Sequence, residues 1–211
     1  MPWIIIAIAT SYLIGSIPTA YIFGRCLKGI DIRKFGSGNV GATNALRVLG
    51  KGPGISVLII DIFKGLIPVV FLGNFIAARV TFLTAEIIYI IIGLACICGH
   101  SWTIFLNFKG GKGIATTFGA LFGLAIITPS LKAILGLTML TWFLVFILVR
   151  IISVASILSA IALPIFMVCF KKSPLLILFS IILSALIILR HKSNLKRIFQ
   201  GKESRITFKK Y

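Results

Sequence analysis

Acidic side chains are scarce in this chain: Asp and Glu number 4 against 22 Lys and Arg, and the formal charge is +18. An excess of basic residues often indicates nucleic-acid binding. Here, however, the basic residues cluster between long apolar runs, which is typical of membrane topology and of anionic lipid or phosphate partners. We therefore expect no nucleic-acid partner.

Patterns for metal and cofactor binding are missing as well. The 4 cysteines lack the spacing of a disulfide framework or a zinc site, and His100 and His191 lie far apart in the sequence. The glycine-rich stretch around Lys112 is not a nucleotide P-loop, because Gly113 stands where that motif has Ser or Thr. We therefore expect no metal site and no cofactor.

Apolar residues, in contrast, are abundant: 59% of the 211 residues are hydrophobic, whereas a soluble domain is nearer half apolar. Runs of ~20 apolar residues match the length of a transmembrane helix. We predict an all-α integral membrane protein with seven transmembrane helices, forming a single domain over residues 1–211. The predicted spans are residues 3–23, 53–73, 82–99, 113–128, 131–149, 151–170 and 174–189. A six-span alternative remains at the short junction around Arg150.

The distribution of positive charge predicts how these spans are oriented. The segments after the first, third, fifth and seventh spans contain 17 Lys and Arg, and the other connecting segments contain 4. Connecting segments rich in Lys and Arg stay in the cytoplasm. We therefore predict that the amino terminus lies outside and the carboxyl terminus is cytoplasmic, with the first apolar run retained as a span.

The first polar segment on the predicted cytoplasmic face reads FGSGNVGATNALR, residues 35–47. Its glycines permit unusual backbone angles, its neutral side chains offer hydrogen bonds, and Arg47 offers a charged fork. Such a loop can bind an anion, although Ser and Asn are also typical of ordinary turns and helix caps. The density of these residues in one short loop favours an anion site. The candidate residues are Ser37, Asn39, Gly41, Thr43, Asn44 and Arg47.

The second segment ends in FKGGKGIATT, residues 108–117, where a glycine-rich basic turn leads into an apolar helix. The glycines allow a tight turn, the start of the helix offers unpaired N–H groups, and Lys109 and Lys112 add positive charge. This combination suits a phosphate. The alternative is a basic turn that anchors a membrane helix at the lipid headgroups.

The third segment is RHKSNLKRIFQGKE, residues 190–203. If it is helical, Arg190, Asn194 and Arg197 line one face, with His191 beside Asn194. A basic amphipathic end of a span is typical of a headgroup anchor. That interpretation does not explain the His and the Asn.

Asp61 and Lys64 lie near the middle of the second span, three residues apart. Ionisable groups at that depth are costly unless they are paired or hydrated, so both side chains are expected to face protein or a cavity. The spacing predicts an ion pair. We interpret it as a pair that fixes helix packing rather than as part of the chemistry.

Together, these segments resemble the bacterial acyl-phosphate-dependent glycerol-3-phosphate acyltransferases, the PlsY family. The resemblance rests on SGNVGATN at residues 37–44, on the GH pair and FKGGKG turn within residues 99–116, and on the RH, N, R, G and E positions of residues 190–203. DIFKG around Asp61 and GSIPTAY at residues 15–21 agree with it. The order and spacing of these motifs match along the whole chain.

The resemblance implies a multi-pass enzyme of the bacterial cytoplasmic (inner) membrane, with its active site on the cytoplasmic face. It would transfer a fatty acyl group from acyl phosphate to the 1-hydroxyl of sn-glycerol 3-phosphate. The products would be lysophosphatidic acid and inorganic phosphate, in the first acylation step of phospholipid synthesis. The implied partners are these two substrates, membrane lipid and the enzyme that makes acyl phosphate.

The resemblance also implies roles for particular residues. The loop at residues 37–47 would hold phosphate or glycerol, Lys112 and the amides beside it would grip phosphate, and Glu203 would orient a basic neighbour. Either the leaving phosphate or His191 would take the proton of the hydroxyl. The implied catalytic residues are Ser37, Asn39, Lys112, His191 and Asn194. The implied substrate-binding residues are Gly41, Thr43, Asn44, Arg47, His100, Gly110, Gly111, Thr116, Arg190 and Glu203.

Two other classes compete with an enzyme. A transporter or exchanger of a phosphorylated metabolite would have polar sites on broken helices and an internal repeat. Asp61, Lys64 and the helix break expected at Pro18 are its only indications, and no repeat is visible in the sequence. A non-catalytic membrane scaffold does not explain three polar motifs on one face.

Overall fold

The structure, a computed structural model, describes residues 2–205, and the regular elements in that range are helical. Helices are expected, because a chain surrounded by lipid must satisfy its backbone hydrogen bonds internally. The chain divides into two units, Met1–Ile127 and Thr128–Tyr211. The α-helices are α1 (Pro2–Ser16), α2 (Thr19–Lys28), α3 (Ala42–Leu49), α4 (Lys51–Ile67), α5 (Gly73–Ala77), α6 (Ala85–Ser101), α7 (Ile114–Ile127), α8 (Lys132–Val149), α9 (Ile152–Cys169), α10 (Pro174–Arg190) and α11 (Lys192–Phe199).

Several of these helices have the length and composition of membrane spans. Within residues 2–205, 5 helical stretches qualify, and α10 with α11 makes a sixth although the pair is bent by 59°. Helix α7 is apolar but shorter, at 14 residues. The five stretches are Pro2–Lys28, Lys51–Ala77, Ala85–Leu106, Pro129–Val149 and Ile152–Cys169. The predicted all-α fold built on membrane-spanning helices is confirmed.

The first span is interrupted between α1 and α2, at the break expected near Pro18. Pro18 has no N–H to continue the helical ladder, and α2 then extends to Lys28, beyond the predicted end at residue 23. Two backbone carbonyls at the interruption accept hydrogen bonds from side chains elsewhere in the first unit. Lys64 Nζ donates to the carbonyl of Ile17 at 3.0 Å, and Thr103 Oγ1 donates to that of Ser16 at 2.5 Å.

In the first unit, α1 packs on α6 and α4 packs on α7. Both pairs approach closely at glycine. A Cβ at Gly15 would strike the backbone of Cys96, and a Cβ at Gly119 would strike the carbonyl of Ile62. Small residues allow such close approach of transmembrane helices, whose association depends on van der Waals packing.

In the second unit, α9 packs against both α8 and α10. Helix α8 ends at Arg150, which adopts a left-handed conformation with φ of 60°. The junction at which a six-span alternative remained therefore separates two distinct helices, α8 and α9. Trp142 of α8 donates from Nε1 to the hydroxyl of Ser156 on α9 at 3.2 Å, which gives the polar end of the indole a partner.

Candidate active site

The loop at residues 35–47 follows a short turn that is fixed by an ion pair. The Asp31 carboxylate accepts from the backbone N–H of Arg33 at 3.0 Å and from its guanidinium at 2.7 Å. The side-chain hydrogen bond from Arg33 lowers the pKa of Asp31 to about 2. The guanidinium carbon of Arg33 also lies 5.2 Å from the centre of the Tyr21 ring. The turn that leads into the loop is therefore anchored to α2.

Asn44 holds the loop itself. Its Oδ1 accepts from the backbone N–H of Ser37 at 2.9 Å, and its Nδ2 donates to the carbonyls of Ile32 and Phe35 at 3.3 and 3.1 Å. The side chain is completely buried. Asn44, expected to bind substrate, therefore uses its amide to close the loop.

The other candidates of this segment lie before α3 or within it, and Arg47 is in its last turn. Ser37 and Arg47 are exposed, and Asn39 and Thr43 are half-buried. Gly41 precedes α3 and is buried, and a Cβ there would lie 3.0 Å from Nδ2 of Asn39. Glycine at this position lets the backbone approach the Asn39 amide. The segment thus presents neutral donors near the start of α3 and a charged fork in its last turn.

The glycine-rich turn of the second segment is tied to the end of α6. The N–H of Gly110 donates to the carbonyl of Ser101 at 3.2 Å, and that of Gly111 donates to the carbonyl of His100 at 3.0 Å. This corrects the expectation that the two amides grip a phosphate, because each is used to anchor the turn to the protein.

Lys112 and Lys109 occupy different settings in this turn. Lys112 is half-buried and is followed by Gly113, which has φ of 81° and leads directly into α7, whereas Lys109 is exposed. Thr116 and Thr117 lie in the first turn of α7. Their hydroxyls are the buried side-chain polar atoms of residues 2–205 that have no hydrogen-bond partner. Such hydroxyls can serve an oxygen-rich ligand.

Behind this turn lies the predicted ion pair. Lys64 Nζ is 2.9 Å from Oδ1 of Asp61, and both side chains are buried, so the pairing is confirmed. The same oxygen accepts from Thr19 Oγ1 at 3.0 Å and lies 4.0 Å from Nδ1 of His100. The ring of His100 in turn packs on Gly111, where a Cβ would strike Nε2.

The third segment is not one continuous helix. Helix α10 ends at Arg190 and α11 begins at Lys192, so the expected single face carrying Arg190, Asn194 and Arg197 is wrong. The two helices meet at a 59° bend at His191, whose ring Nδ1 lies 2.7 Å from the carbonyl of Ile187 and shares it with the backbone N–H of His191 at 3.1 Å. Because a carbonyl only accepts, Nδ1 donates, and Nε2 is the acceptor nitrogen of the neutral ring.

The carboxylate of Glu203 accepts hydrogen bonds from three side chains. Its carboxylate accepts from Asn194 Nδ2 at 2.5 Å, from Arg197 Nε at 2.6 Å and from Ser153 Oγ of α9 at 2.8 Å. Burial raises the pKa of Glu203, but the hydrogen bonds from these three side chains outweigh it and lower the pKa overall. The carboxylate therefore fixes α11 and the residues between it and Glu203 against α9.

Sequence reasoning missed four hydroxyl residues of these clusters: Thr19, Thr103, Thr117 and Ser153. Each contacts a residue distant in the sequence or lies next to one that was chosen. Thr19 stands one residue after Pro18, and Thr117 follows Thr116. A search for hydroxyls beside helix breaks and beside chosen residues would have found these two.

Comparisons with known proteins agree along the whole chain. A family model described as Glycerol-3-phosphate acyltransferase matches residues 5–201. The glycerol-3-phosphate acyltransferase of Chlorobium phaeobacteroides (strain BS1) is 41% identical over 234 residues, covering 97% of each chain. Glycerol-3-phosphate acyltransferase 2 of Moorella thermoacetica (strain ATCC 39073 / JCM 9320) is 43% identical over 202 residues, covering 96% of this chain and 97% of the relative.

Solved structures show the same likeness in three dimensions. The crystal structure of PlsY (YgiH), an integral membrane glycerol 3-phosphate acyltransferase, in its glycerol 3-phosphate form matches with a TM-score of 0.85 and 33% identity. The match covers 97% of this chain and 96% of that chain. The lysophosphatidic acid form of PlsY matches with a TM-score of 0.82 and 33% identity, covering 97% and 95%.

These similarities decide between the three functional classes considered from the sequence: an enzyme, a transporter and a scaffold. They support an integral membrane acyltransferase of phospholipid synthesis, not a transporter or a scaffold. The chain belongs to the glycerol-3-phosphate acyltransferase family.

Proposed function

We propose that this chain transfers a fatty acyl group from acyl phosphate to the 1-hydroxyl of sn-glycerol 3-phosphate, forming lysophosphatidic acid and inorganic phosphate. The observation that carries the proposal is the similarity to a protein solved in both a glycerol 3-phosphate form and a lysophosphatidic acid form. These two molecules differ by one acyl group. They are therefore the acceptor and the product of a single acyl transfer.

Acyl phosphate is the proposed donor because the motifs of this chain suit phosphate. Lys112 supplies positive charge in a glycine-rich turn and Arg47 supplies it in the last turn of α3, and the sequence has no nucleotide P-loop. The hydroxyls of Thr116 and Thr117, buried at the start of α7, offer further hydrogen bonds near Lys112. A mixed anhydride also arrives activated, so transfer needs charge compensation and positioning more than activation.

In the proposed reaction, the oxygen of the 1-hydroxyl attacks the acyl carbonyl carbon and forms a tetrahedral oxyanion. The bond between that carbon and the bridging oxygen of the phosphate then breaks, and phosphate leaves with the bonding electron pair. The hydroxyl proton passes to the leaving phosphate, or alternatively to Nε2 of His191, the acceptor nitrogen of its neutral ring.

The residues take the following proposed roles. Ser37, Asn39, Thr43 and Arg47 hold phosphate or glycerol, and Lys112 compensates the charge of a phosphate. Two revisions follow from the contacts. Asn44 and Gly41 shape the first loop, and Gly110 and Gly111 anchor the second turn to α6. His191 and Asn194 position a substrate, with Glu203 orienting Asn194 and Arg197. Arg190 and His100 contribute to substrate binding.

We further propose seven membrane crossings, an amino terminus outside, and an active site on the cytoplasmic face of the inner membrane. The 17 to 4 division of Lys and Arg between alternate segments supports this orientation. Helix α7, with 14 residues, extends ~21 Å and is shorter than the hydrocarbon core, so it would cross where the bilayer is thinned or end inside the protein. A family match over residues 5–201 supports one functional domain. The enzyme that makes acyl phosphate is a proposed partner.

Purified protein in detergent, supplied with palmitoyl phosphate and sn-glycerol 3-phosphate, tests the proposed reaction. We expect equal amounts of inorganic phosphate and 1-palmitoyl lysophosphatidic acid, measured colorimetrically and by mass spectrometry. Phosphate release without acceptor is the control for simple hydrolysis. Parallel reactions with palmitoyl-coenzyme A, and with a chelator added, test the donor and the metal requirement. Comparable turnover of palmitoyl-coenzyme A, or loss of activity in chelator, would contradict the proposal.

A further inference from the structure

The buried ion pair in the C-terminal half of α4 is connected to more than its own helix. Asp61 and Lys64 are 2% and 6% exposed, and both reach the interruption between α1 and α2. Asp61 accepts from Thr19, at the start of α2, and Lys64 donates to the carbonyl of Ile17. The pair therefore joins α4 to the break in the first span.

The pair also reaches the end of α6. Oδ1 of Asp61 lies 4.0 Å from Nδ1 of His100, whose side chain is buried. The opposite nitrogen, Nε2, faces Gly111, where a Cβ would collide with the ring. The backbone N–H of Gly111 donates to the carbonyl of His100 as well. The imidazole is thus placed between the carboxylate of Asp61 and the turn that carries Lys112.

A pair that only held helices together would need no charge at this depth. Ionisable groups inside a membrane are costly, and a buried pair can often be replaced by apolar residues without loss of stability. The buried charge is explained if the Asp61 carboxylate orients the imidazole of His100, against which the glycine-rich turn packs. The small size of Gly111 is explained by the same contact, because a Cβ at this position would displace the ring.

We propose that Asp61 and Lys64 form a positioning pair for the glycine-rich turn: the Asp61 carboxylate orients His100, and the His100 ring sets the position of Gly111 and therefore of Lys112. The proposal rests on the proposed role of Lys112 in binding phosphate. Asp61 and Lys64 contact no reacting atom in it. They act through His100.

The first test replaces both charges together, so that no lone charge remains buried. In D61N/K64Q, the Gln amide can still donate to the carbonyl of Ile17. We expect kcat/KM for glycerol 3-phosphate to fall by ~10²-fold, as for other small displacements of a catalytic group. The control is Y89F, which removes another interhelical hydrogen bond of the same unit, the partly buried bond from Tyr89 to Asn74 at 2.6 Å. We expect Y89F to retain normal turnover, and unfolding temperatures in detergent are compared for both.

The second test asks whether the pair acts through His100. If it does, adding D61N/K64Q to H100A should reduce kcat/KM by no more than ~2-fold beyond H100A alone, since effects on one shared contact do not add. G111A should be impaired, and H100A/G111A should be no worse than H100A, because removal of the ring relieves the collision. Independent, additive losses would overturn the proposal, as would D61N/K64Q behaving like Y89F. If K112A were fully active, the proposed function of the turn would fail instead.

Discussion

The side-chain oxygen of Asn44 accepts a hydrogen bond from the backbone N–H of Ser37, seven residues earlier, at 2.9 Å. This hydrogen bond closes the glycine-containing loop without the help of a ligand. The same amide donates to two further backbone carbonyls of the segment, so a single buried side chain fixes three points of the loop. The candidate ligands Ser37, Asn39 and Thr43 are held on the loop that Asn44 closes.

Replacing Asn44 should therefore damage the fold as well as the reaction. We expect Asn44→Ala to lower the unfolding free energy by about 1–3 kcal/mol, the cost of leaving buried polar groups without partners. Asn44→Asp should be no better, because a carboxylate repels the carbonyls of Ile32 and Phe35. Thermal unfolding in detergent without substrate measures this effect. Ser56→Ala, which removes an exposed side-chain bond to the carbonyl of Gly52, is the control. An unchanged unfolding temperature in Asn44→Ala would mean that Asn44 serves only the ligand.

Glu203 should make the attachment of α11 sensitive to acid. Its pKa lies below the ordinary value of 4.5, so the charged form is favoured in the folded protein. The resulting stabilisation is fully present above that ordinary value and is lost as the pH falls through the lowered pKa. We expect the protection of the amides of residues 192–203 against hydrogen exchange, measured relative to the intrinsic rate at each pH, to fall below pH 4.5 in the unsubstituted protein. Glu203→Gln should exchange faster at neutral pH and lack this acid step. An identical acid step in Glu203→Gln would assign it to another group.

Orientation in the membrane can be measured with cysteine labelling. In a background without native cysteines, Pro2→Cys should react with an impermeant maleimide from outside intact cells. Arg205→Cys should react only after the cells are opened. The alternation of positively charged segments gives both expectations. Labelling of both positions from the same side would exclude an odd number of crossings. The native residues to be replaced are Cys26, Cys96, Cys98 and Cys169.

His191 allows the two routes for the proton to be separated. His191→Asn keeps a donor near the carbonyl of Ile187 but removes the acceptor nitrogen Nε2. If the leaving phosphate takes the proton, kcat should fall by less than ~10²-fold, the lower limit for loss of a general base. His191→Gln is compared with His191→Asn, because the longer Gln side chain places its amide at the position of Nε2. A larger loss of kcat in His191→Asn, together with a changed pH–rate profile, would assign the proton to His191.

Sequence alone predicted the elements and contacts that depend on local spacing. The apolar runs gave the helices, and the three-residue separation of Asp61 and Lys64 gave their ion pair, because both follow from helix geometry. Contacts between distant segments were not predictable in this way. The approach of His100 to Asp61 and the bond from Ser153 to Glu203 depend on how helices pack. No residue pattern encodes either contact.

Two local features were also missed, each for a physical reason. At the interruption, the ring Nδ1 of His191 shares the carbonyl of Ile187 with the backbone N–H of the same residue, whereas the amphipathic pattern of the segment favours an unbroken helix. The amides of Gly110 and Gly111 were expected to face a ligand because glycine-rich turns before helices often bind phosphate. Their bonds to α6 show that the same glycines can be needed for close packing.

The glycine-rich turn itself gives the sharpest comparison, because its two lysines differ in setting. Lys112 is half-buried at the entrance to α7, and Lys109 is exposed on the loop side. If Lys112 compensates the charge of a phosphate, Lys112→Ala should fold normally and lose ~10²–10³-fold in kcat/KM, as for one strong electrostatic stabiliser. Lys112→Arg should recover only part of the activity, since a planar fork does not replace a compact charge.

Lys109→Ala is the matched control, because it removes the same charge three residues earlier in the same turn. We expect it to lose much less activity than Lys112→Ala. Steady-state kinetics of both single variants in detergent micelles makes the comparison without an anionic bilayer. If the lysines only hold the turn at lipid headgroups, both variants should turn over normally in micelles. Equal and small effects would therefore contradict a phosphate-binding role for Lys112, whereas a loss confined to Lys112 would assign the charge to the reaction.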